Sequence, residues 1–318
     1  MRLSKVVEQY ILHKRSLGMR YTSEASQLRA FVKTIGDRDM RLVKPAPVLR
    51  FLEGSRQGPM TSFWFSKYQA LKGFYRYALA RGYCSSSPLA LRTPQKPQPF
   101  EPYIYTNRDM KQLLVAADSM RQRFHVGRGT EPHTIRTLLL LLYGTGLRIS
   151  EALSLLLSDY DADSRVLTIR ETKFFKSRFV PVGPDLSMIL QRYIDRQWSS
   201  RLCTEATPFL ANRKGEPLTR AAAELAFKAV RQQAGVSRSA DARYQPRLHD
   251  FRHTFAVVRL VTWYREGRNV QRLLPHLTTY LGHGEVNATQ RYLTMTTELL
   301  EQASVCFERY ARPEVPHV

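Results

Sequence analysis

Five prolines (Pro88, Pro94, Pro97, Pro99 and Pro102) fall within fifteen residues, which rules out a continuous helix through the stretch. Each ring fixes φ and removes a backbone donor, so an extended, semi-rigid tether is expected there. A chain of 318 residues broken in this way reads as two domains. The expected boundaries are a first domain over residues 1–95, a tether over 96–105 and a second domain over 106–318.

The first domain has helical periodicity throughout. Residues 3–17 place Val6, Val7, Tyr10, Ile11 and Leu17 on one face before Gly18. A second helix is expected over 23–35 with its stop at Gly36, a short third after Pro45, and a long fourth over 61–81 ending at Gly82. Four such helices make a compact bundle. The aromatics of the fourth (Trp64, Phe65, Tyr68, Phe74, Tyr75 and Tyr77) have the spacing of a core face, while Lys67, Lys72 and Arg76 beside them are candidate phosphate contacts.

In the second domain Thr106 is positioned to cap a helix over 108–117. A buried helix is expected over 135–143, followed by a turn at Gly144-Thr145-Gly146 and a further helix over 148–157. Residues 165–170 and 177–182 read as a hairpin around Lys173-Phe174-Phe175-Lys176. From Leu218 onward the pattern is helical again, with a last amphipathic helix expected over 297–310.

Charge narrows the partners. Lys and Arg number 49 against 27 Asp and Glu, a net charge of +22, and the first 100 residues alone carry 18 against 5. Such a surplus concentrates polyanions and raises association rates, and nucleic acid is the leading candidate. No apolar stretch reaches the roughly 18 residues of a membrane span, and no signal peptide is evident, so a cytoplasmic location with no membrane partner is expected. Cys84, Cys203 and Cys306 match neither zinc spacing nor a disulfide framework.

Four separated segments carry chemistry. They are Thr145-Gly146-Leu147-Arg148-Ile149-Ser150-Glu151, the lysine-bearing hairpin, Leu248-His249-Asp250-Phe251-Arg252-His253-Thr254, and Leu281-Gly282-His283 with Tyr292 nine residues after the histidine. Guanidinium groups stay protonated and offer a planar fork matched to phosphate oxygens, which suits Arg148 and Arg252 to a phosphodiester transition state. Tyrosine is a poor nucleophile at its free pKa of about 10 and needs such neighbours to attack anything.

In order and spacing these segments resemble the tyrosine recombinases, the phage integrase family. The connection through Gln271-Arg272-Leu273-Leu274-Pro275-His276 further resembles integrases carried by transposons and other mobile elements. The resemblance implies a mainly α fold: an N-terminal helical bundle of the core-binding, SAM-like kind, and a mostly helical catalytic domain with a small antiparallel sheet. It implies a site-specific recombinase or integrase acting on double-stranded DNA recombination sites. The expected assembly is a homotetramer on DNA or a hetero-assembly with related recombinases.

The catalytic set so implied is Arg148, Lys173, His249, Arg252, His283 and Tyr292. Tyr292 would form a 3′-phosphotyrosyl link and free a 5′-hydroxyl. Either Lys173 or Lys176 protonates the leaving oxygen, and His249 either accepts the tyrosine proton or contacts the phosphate. Glu151, Asp250 and His253 are expected in support, and Lys176 and Arg178 join Lys67, Lys72 and Arg76 as candidate DNA contacts. His276 and Arg291 read as solvated or structural. No cofactor and no metal site is expected. A type IB topoisomerase shares this chemistry and is the alternative enzyme; a DNA-binding protein without catalysis is the alternative from another class.

Overall fold

The computed structural model describes residues 1–54, 60–89, 94–95, 101–120, 130–170, 177–240, 242, 244–282, 289, 291–294, 301 and 304. Contacts divide the chain into two compact units, one within Met1–Phe100 and one that begins at Glu101.

The first unit is a four-helix bundle of α1 (Leu3–Ser16), α2 (Thr22–Ile35), α3 (Pro45–Glu53) and α4 (Ser62–Ala80). Its core is built from Leu3, Val7, Ile11, Leu28, Phe31, Val48, Leu71 and Phe74, all buried at helical spacing. Leu17, expected on the buried face, is exposed because α1 ends at Ser16 and Leu17 caps it. The aromatics of α4 pack as core: Tyr68, Phe74 and Tyr75 are buried and Trp64 stacks on Tyr68. Beside them Lys67 lies over the Phe51 and Phe63 rings and its Nζ donates to the Phe51 carbonyl, while Lys72 and Arg76 are exposed.

The second unit is mainly helical: α5 (Asn107–Asp118), α6 (Pro132–Thr145), α7 (Ile149–Leu153), then β1 (Tyr160–Asp161), β2 (Val166–Ile169), β3 (Arg178–Pro181), and α8 (Pro184–Trp198), α9 (Arg220–Gln233), α10 (Asp250–Arg265) and α11 (Val270–Leu281). Helix α6 is apolar on nearly every side, with Leu138, Leu139, Leu141 and Leu142 fully buried, because α5, α8, α9 and α10 all pack on it. The three strands form one antiparallel sheet in the order β1-β2-β3, with Leu167 paired to Val180 and Ile169 to Arg178. Leu167, Ile169 and Val180 face inward, while Phe179 faces out.

Tyr103 and Tyr105, which the sequence places in the tether, pack into this unit. The Tyr105 ring stacks on Phe251 at 4.2 Å, its backbone N–H donates to Thr254 Oγ1, and its hydroxyl donates to the Arg247 carbonyl. Thr106 caps α5 in a reciprocal capping box with Asp109.

The helix expected over 148–157 is shorter than its apolar pattern suggests. It stops after Leu153, because Leu155 and Leu157 exchange backbone hydrogen bonds with Phe209 and Thr207 instead of continuing the helical ladder. Helix α8 was not anticipated, although Pro184 at its first turn and Asp185 behind it are start signals. The expected terminal helix over 297–310 lies outside the described residues.

Candidate active site

Helix α6 ends at Gly146, whose φ of +63° is a left-handed cap. The turn hands the chain to Arg148, which sits at the N-cap of α7 with its side chain half-buried. Arg148 Nη1 donates to Glu151 Oε1 at 2.6 Å, its backbone N–H donates to Glu151 Oε2 at 2.9 Å, and Nη2 donates to the Gly282 carbonyl at 2.8 Å. Glu151 thus fixes the arginine from within its own turn.

Arg252 projects from α10 and is only 2% exposed. Its Nη1 donates to the Gly146 carbonyl at 3.0 Å and its Nη2 donates to the Leu281 carbonyl. Both acceptors are helix C-terminal carbonyls, where the macrodipole is negative. Burial, then the nearby Arg148 charge, push the Arg252 pKa down to about 10, which leaves the group protonated at neutral pH. Among the described residues no carboxylate lies within ion-pair distance of it.

His249, at the N-cap of α10, stands beside the arginines. Surrounding protein, followed by the charges of Arg252 and Arg247, pushes its pKa down to about 4 against a smaller opposing pull from Asp250. The ring is neutral at physiological pH, and its outer edge reaches solvent. One turn along, His253 lies 5.0 Å from His249 and 5.5 Å from the Tyr292 ring, centroid to centroid. Tyr292 occupies the 3₁₀ turn Arg291–Thr294, packed on α10 and 2% exposed. Asp250 is fully buried and accepts from the Arg247 backbone N–H at 2.9 Å and from Arg247 Nη2 at 3.0 Å, which anchors the start of α10.

Arg178, read from sequence as a DNA contact, is turned inward. It is 11% exposed, donates Nη2 to Glu151 Oε2 at 2.8 Å and Nη1 to Glu151 Oε1 at 3.2 Å, and donates Nε to the Tyr280 carbonyl at 2.8 Å. Burial works against ionisation of Glu151, but the hydrogen bonds and charges of Arg178 and Arg148 outweigh it and hold the carboxyl at about 2. Arg148 and Arg178 therefore share one carboxylate, and with Arg252 beside them the cluster carries a local net charge of +2 around the C-terminal carbonyls of α11. Such a cluster suits an oxyanion.

The structure brings Arg148, Glu151, His249, Arg252, His253 and Tyr292 together. Lys173, Lys176 and His283 lie outside the described residues. The sequence reading did not single out a basic cleft of about 780 Å³ lined by Arg148, Arg220, Lys228, Arg231, Arg247 and His249. Its signal was present, since 220, 224, 228 and 231 step along one face of α9. Among the described residues no group of His, Cys, Asp and Glu is placed to hold a metal ion. Nor is any described helix long and apolar enough to cross a membrane.

Glu151 makes stability pH-dependent. Its folded pKa is depressed, so its contribution is complete above about pH 4.5 and is lost as pH falls towards about 2. Across that window the expected loss is about 3 kcal/mol. Thermal unfolding of wild type and Glu151→Gln at pH 7 and pH 3 checks it: the gap between them narrows at pH 3.

A mainly helical fold around a small antiparallel sheet is the architecture shared with tyrosine recombinase catalytic domains. The phage integrase family model matches residues 105–298. A Sinorhizobium fredii protein named as an integrase/recombinase, y4rB, is 35% identical over 307 residues, 96% of each chain. The tyrosine recombinase XerC of Anoxybacillus flavithermus is 27% identical over 285 residues, 88% of this chain and 87% of the relative. Among solved structures, the Tn1549 transposon integrase in complex with a circular intermediate DNA shares the fold with a TM-score of 0.70 at 17% identity, covering 98% of this chain and all of that one. A lambda integrase dimer bound to a COC′ core site gives 0.65 at 17% identity, covering 90% and 96%. The chain belongs to the phage integrase family and is a tyrosine-type site-specific recombinase.

Proposed function

We propose that the chain cuts and rejoins double-stranded DNA at specific sites, with Tyr292 as the nucleophile. The observation that carries this reading is Arg252: a buried guanidinium held by two carbonyls and by no described carboxylate. Burying a charge without a counter-ion is unfavourable, and the arrangement becomes favourable when an anion arrives. A phosphodiester held between Arg252 and Arg148, which lines the basic cleft, supplies one.

The Tyr292 oxygen forms a bond to phosphorus while the bond from phosphorus to the 5′ oxygen breaks. The phenol proton passes to neutral His249, and Lys173 or Lys176 protonates the departing 5′ oxygen. Arg148 and Arg252 hold the nonbridging oxygens, joined by His283, and each still has N–H donors beyond those engaged with the carbonyls and Glu151. The phosphotyrosyl link conserves bond energy, so religation to a second strand runs without ATP. In this reading the guanidiniums supply the positive charge, and cleavage proceeds in EDTA.

Tyr292 is packed on α10 and 2% exposed, so this reading requires its hydroxyl to become exposed before it reaches phosphorus. Assembly as a tetramer on two duplexes, with the bundle of residues 1–95 and the domain of 106–318 both on DNA, belongs to the same proposal.

Two duplexes with distinct end labels and the cognate site test the reading. Wild type is expected to yield strands joined between the duplexes, and Tyr292→Phe none. Relaxation of supercoils without joined products would point instead to the topoisomerase alternative.

A further inference from the structure

The role of Arg178 follows from how one buried carboxylate is shared. Glu151 is 8% exposed and accepts four hydrogen bonds, two from Arg148 and two from Arg178. Arg178 opens β3 on the inner face, the same side as Val180, so its guanidinium is directed under the site rather than toward a ligand. Its Nε holds the Tyr280 carbonyl, and a Cβ added at Gly282 would lie 3.0 Å from its Nη1. Arg178 therefore touches both the turn that carries Arg148 and the end of α11, on which Arg148 and Arg252 also rest.

Were Arg178 absent, the charge of Glu151 would fall on Arg148 alone. A carboxylate 2.6 Å from Arg148 Nη1 would then largely neutralise the group meant to meet a phosphate. We propose that Arg178 is a positioning residue: it serves as the counter-ion of Glu151, so that Arg148 keeps its positive charge for the scissile phosphate and its orientation toward the α11 terminus.

This inference rests on the assignment of Arg148 to the phosphate. It gives Arg178 an indirect task, without contact to DNA, and it explains why the second strand of the hairpin begins with an inward arginine. Charge and geometry are separable. Lysine at 178 keeps the charge but loses the fork that spans both carboxylate oxygens, whereas glutamine keeps hydrogen bonding and loses the charge.

The test is single-turnover formation of the covalent adduct on a nicked duplex carrying the cognate site, run beside duplex binding and thermal unfolding. Arg178→Gln is expected to slow cleavage by roughly 10- to 100-fold while binding changes by less than about threefold. Arg178→Lys should lose much less, roughly fivefold or under. The double variant Arg178→Gln with Glu151→Gln removes both charges of the pair and is expected to cleave at least about tenfold faster than Arg178→Gln alone.

Cleavage by Arg178→Gln at the wild-type rate would overturn the proposal. So would a double variant no faster than Arg178→Gln. If Arg178→Gln fails to fold, Arg178→Lys decides: a loss as large as that of Arg148→Ala contradicts the charge argument. In the same assay, absence of adduct from wild type would remove the parent reading, whereas adduct forming at the same rate in wild type and Arg178→Gln removes only this one.

Discussion

Arg252→Ala is expected to reduce strand cleavage by at least about 10²- to 10³-fold, the penalty of removing one preorganised donor at a developing oxyanion. The side chain has two duties, and the variant ends both. It removes a protonated group that donates to the Gly146 and Leu281 carbonyls, and it leaves those buried acceptors without their donor. An unsatisfied buried acceptor costs about 1–3 kcal/mol, so the thermal midpoint falls together with activity. Arg252→Lys separates the effects. A lysine restores charge but cannot span two carbonyls and a phosphate, so it recovers more stability than rate. Cleavage and calorimetry on the two variants check this; wild-type cleavage by Arg252→Ala would remove Arg252 from the site.

The second large effect is at Gly146, and it acts through the fold. The residue closes α6 in the left-handed region, and a Cβ there would lie 2.6 Å from the Phe255 ring and 3.2 Å from Leu281 Cδ2. Gly146→Ala therefore adds backbone strain to a collision with a packed ring. Together these are expected to cost roughly 2–5 kcal/mol, a fall in Tm of roughly 5–15 °C. Cleavage should drop as well, since the Gly146 carbonyl is an acceptor for Arg252 and the next turn carries Arg148. An unchanged melting curve would show that Phe255 yields freely.

How much of this was legible beforehand depends on what kind of atom does the work. Arg148, His249, Arg252 and Tyr292 are side chains at distinctive spacings, and motif order alone nominates them as one site. The helices of the bundle were equally plain, because Gly36 and Thr61 punctuate a clear period. The acceptors that hold the arginines were not legible, since the carbonyls of Gly146, Tyr280, Leu281 and Gly282 belong to the backbone and carry no letter of their own. Arg178 was grouped with candidate DNA contacts because basic residues on a hairpin look alike; the two-residue alternation sets it with Val180 on the inner face, where it pairs with Glu151. Helix α7 was read too long because Leu155 and Leu157 continue an apolar run whose backbone in fact pairs with Thr207 and Phe209. Long-range pairing of that sort leaves no local trace.

The burial of Tyr292 joins these threads. Its segment follows α11, whose terminal carbonyls Arg148, Arg178 and Arg252 already hold. A phosphate that engages the remaining donors of Arg148 and Arg252 draws on guanidiniums that also hold this terminus, so DNA binding and exposure of the tyrosine are expected to be coupled.

The most direct measurement is to let wild type react with a nicked duplex bearing its site, digest the product with trypsin, and locate the nucleotide mass. Trypsin cleaves after Arg291, so the account predicts the modification on the peptide that begins at Tyr292, joined through the 3′ end of the cut strand, and no adduct from Tyr292→Phe. A covalent link on any other peptide, or one that persists in Tyr292→Phe, would contradict it.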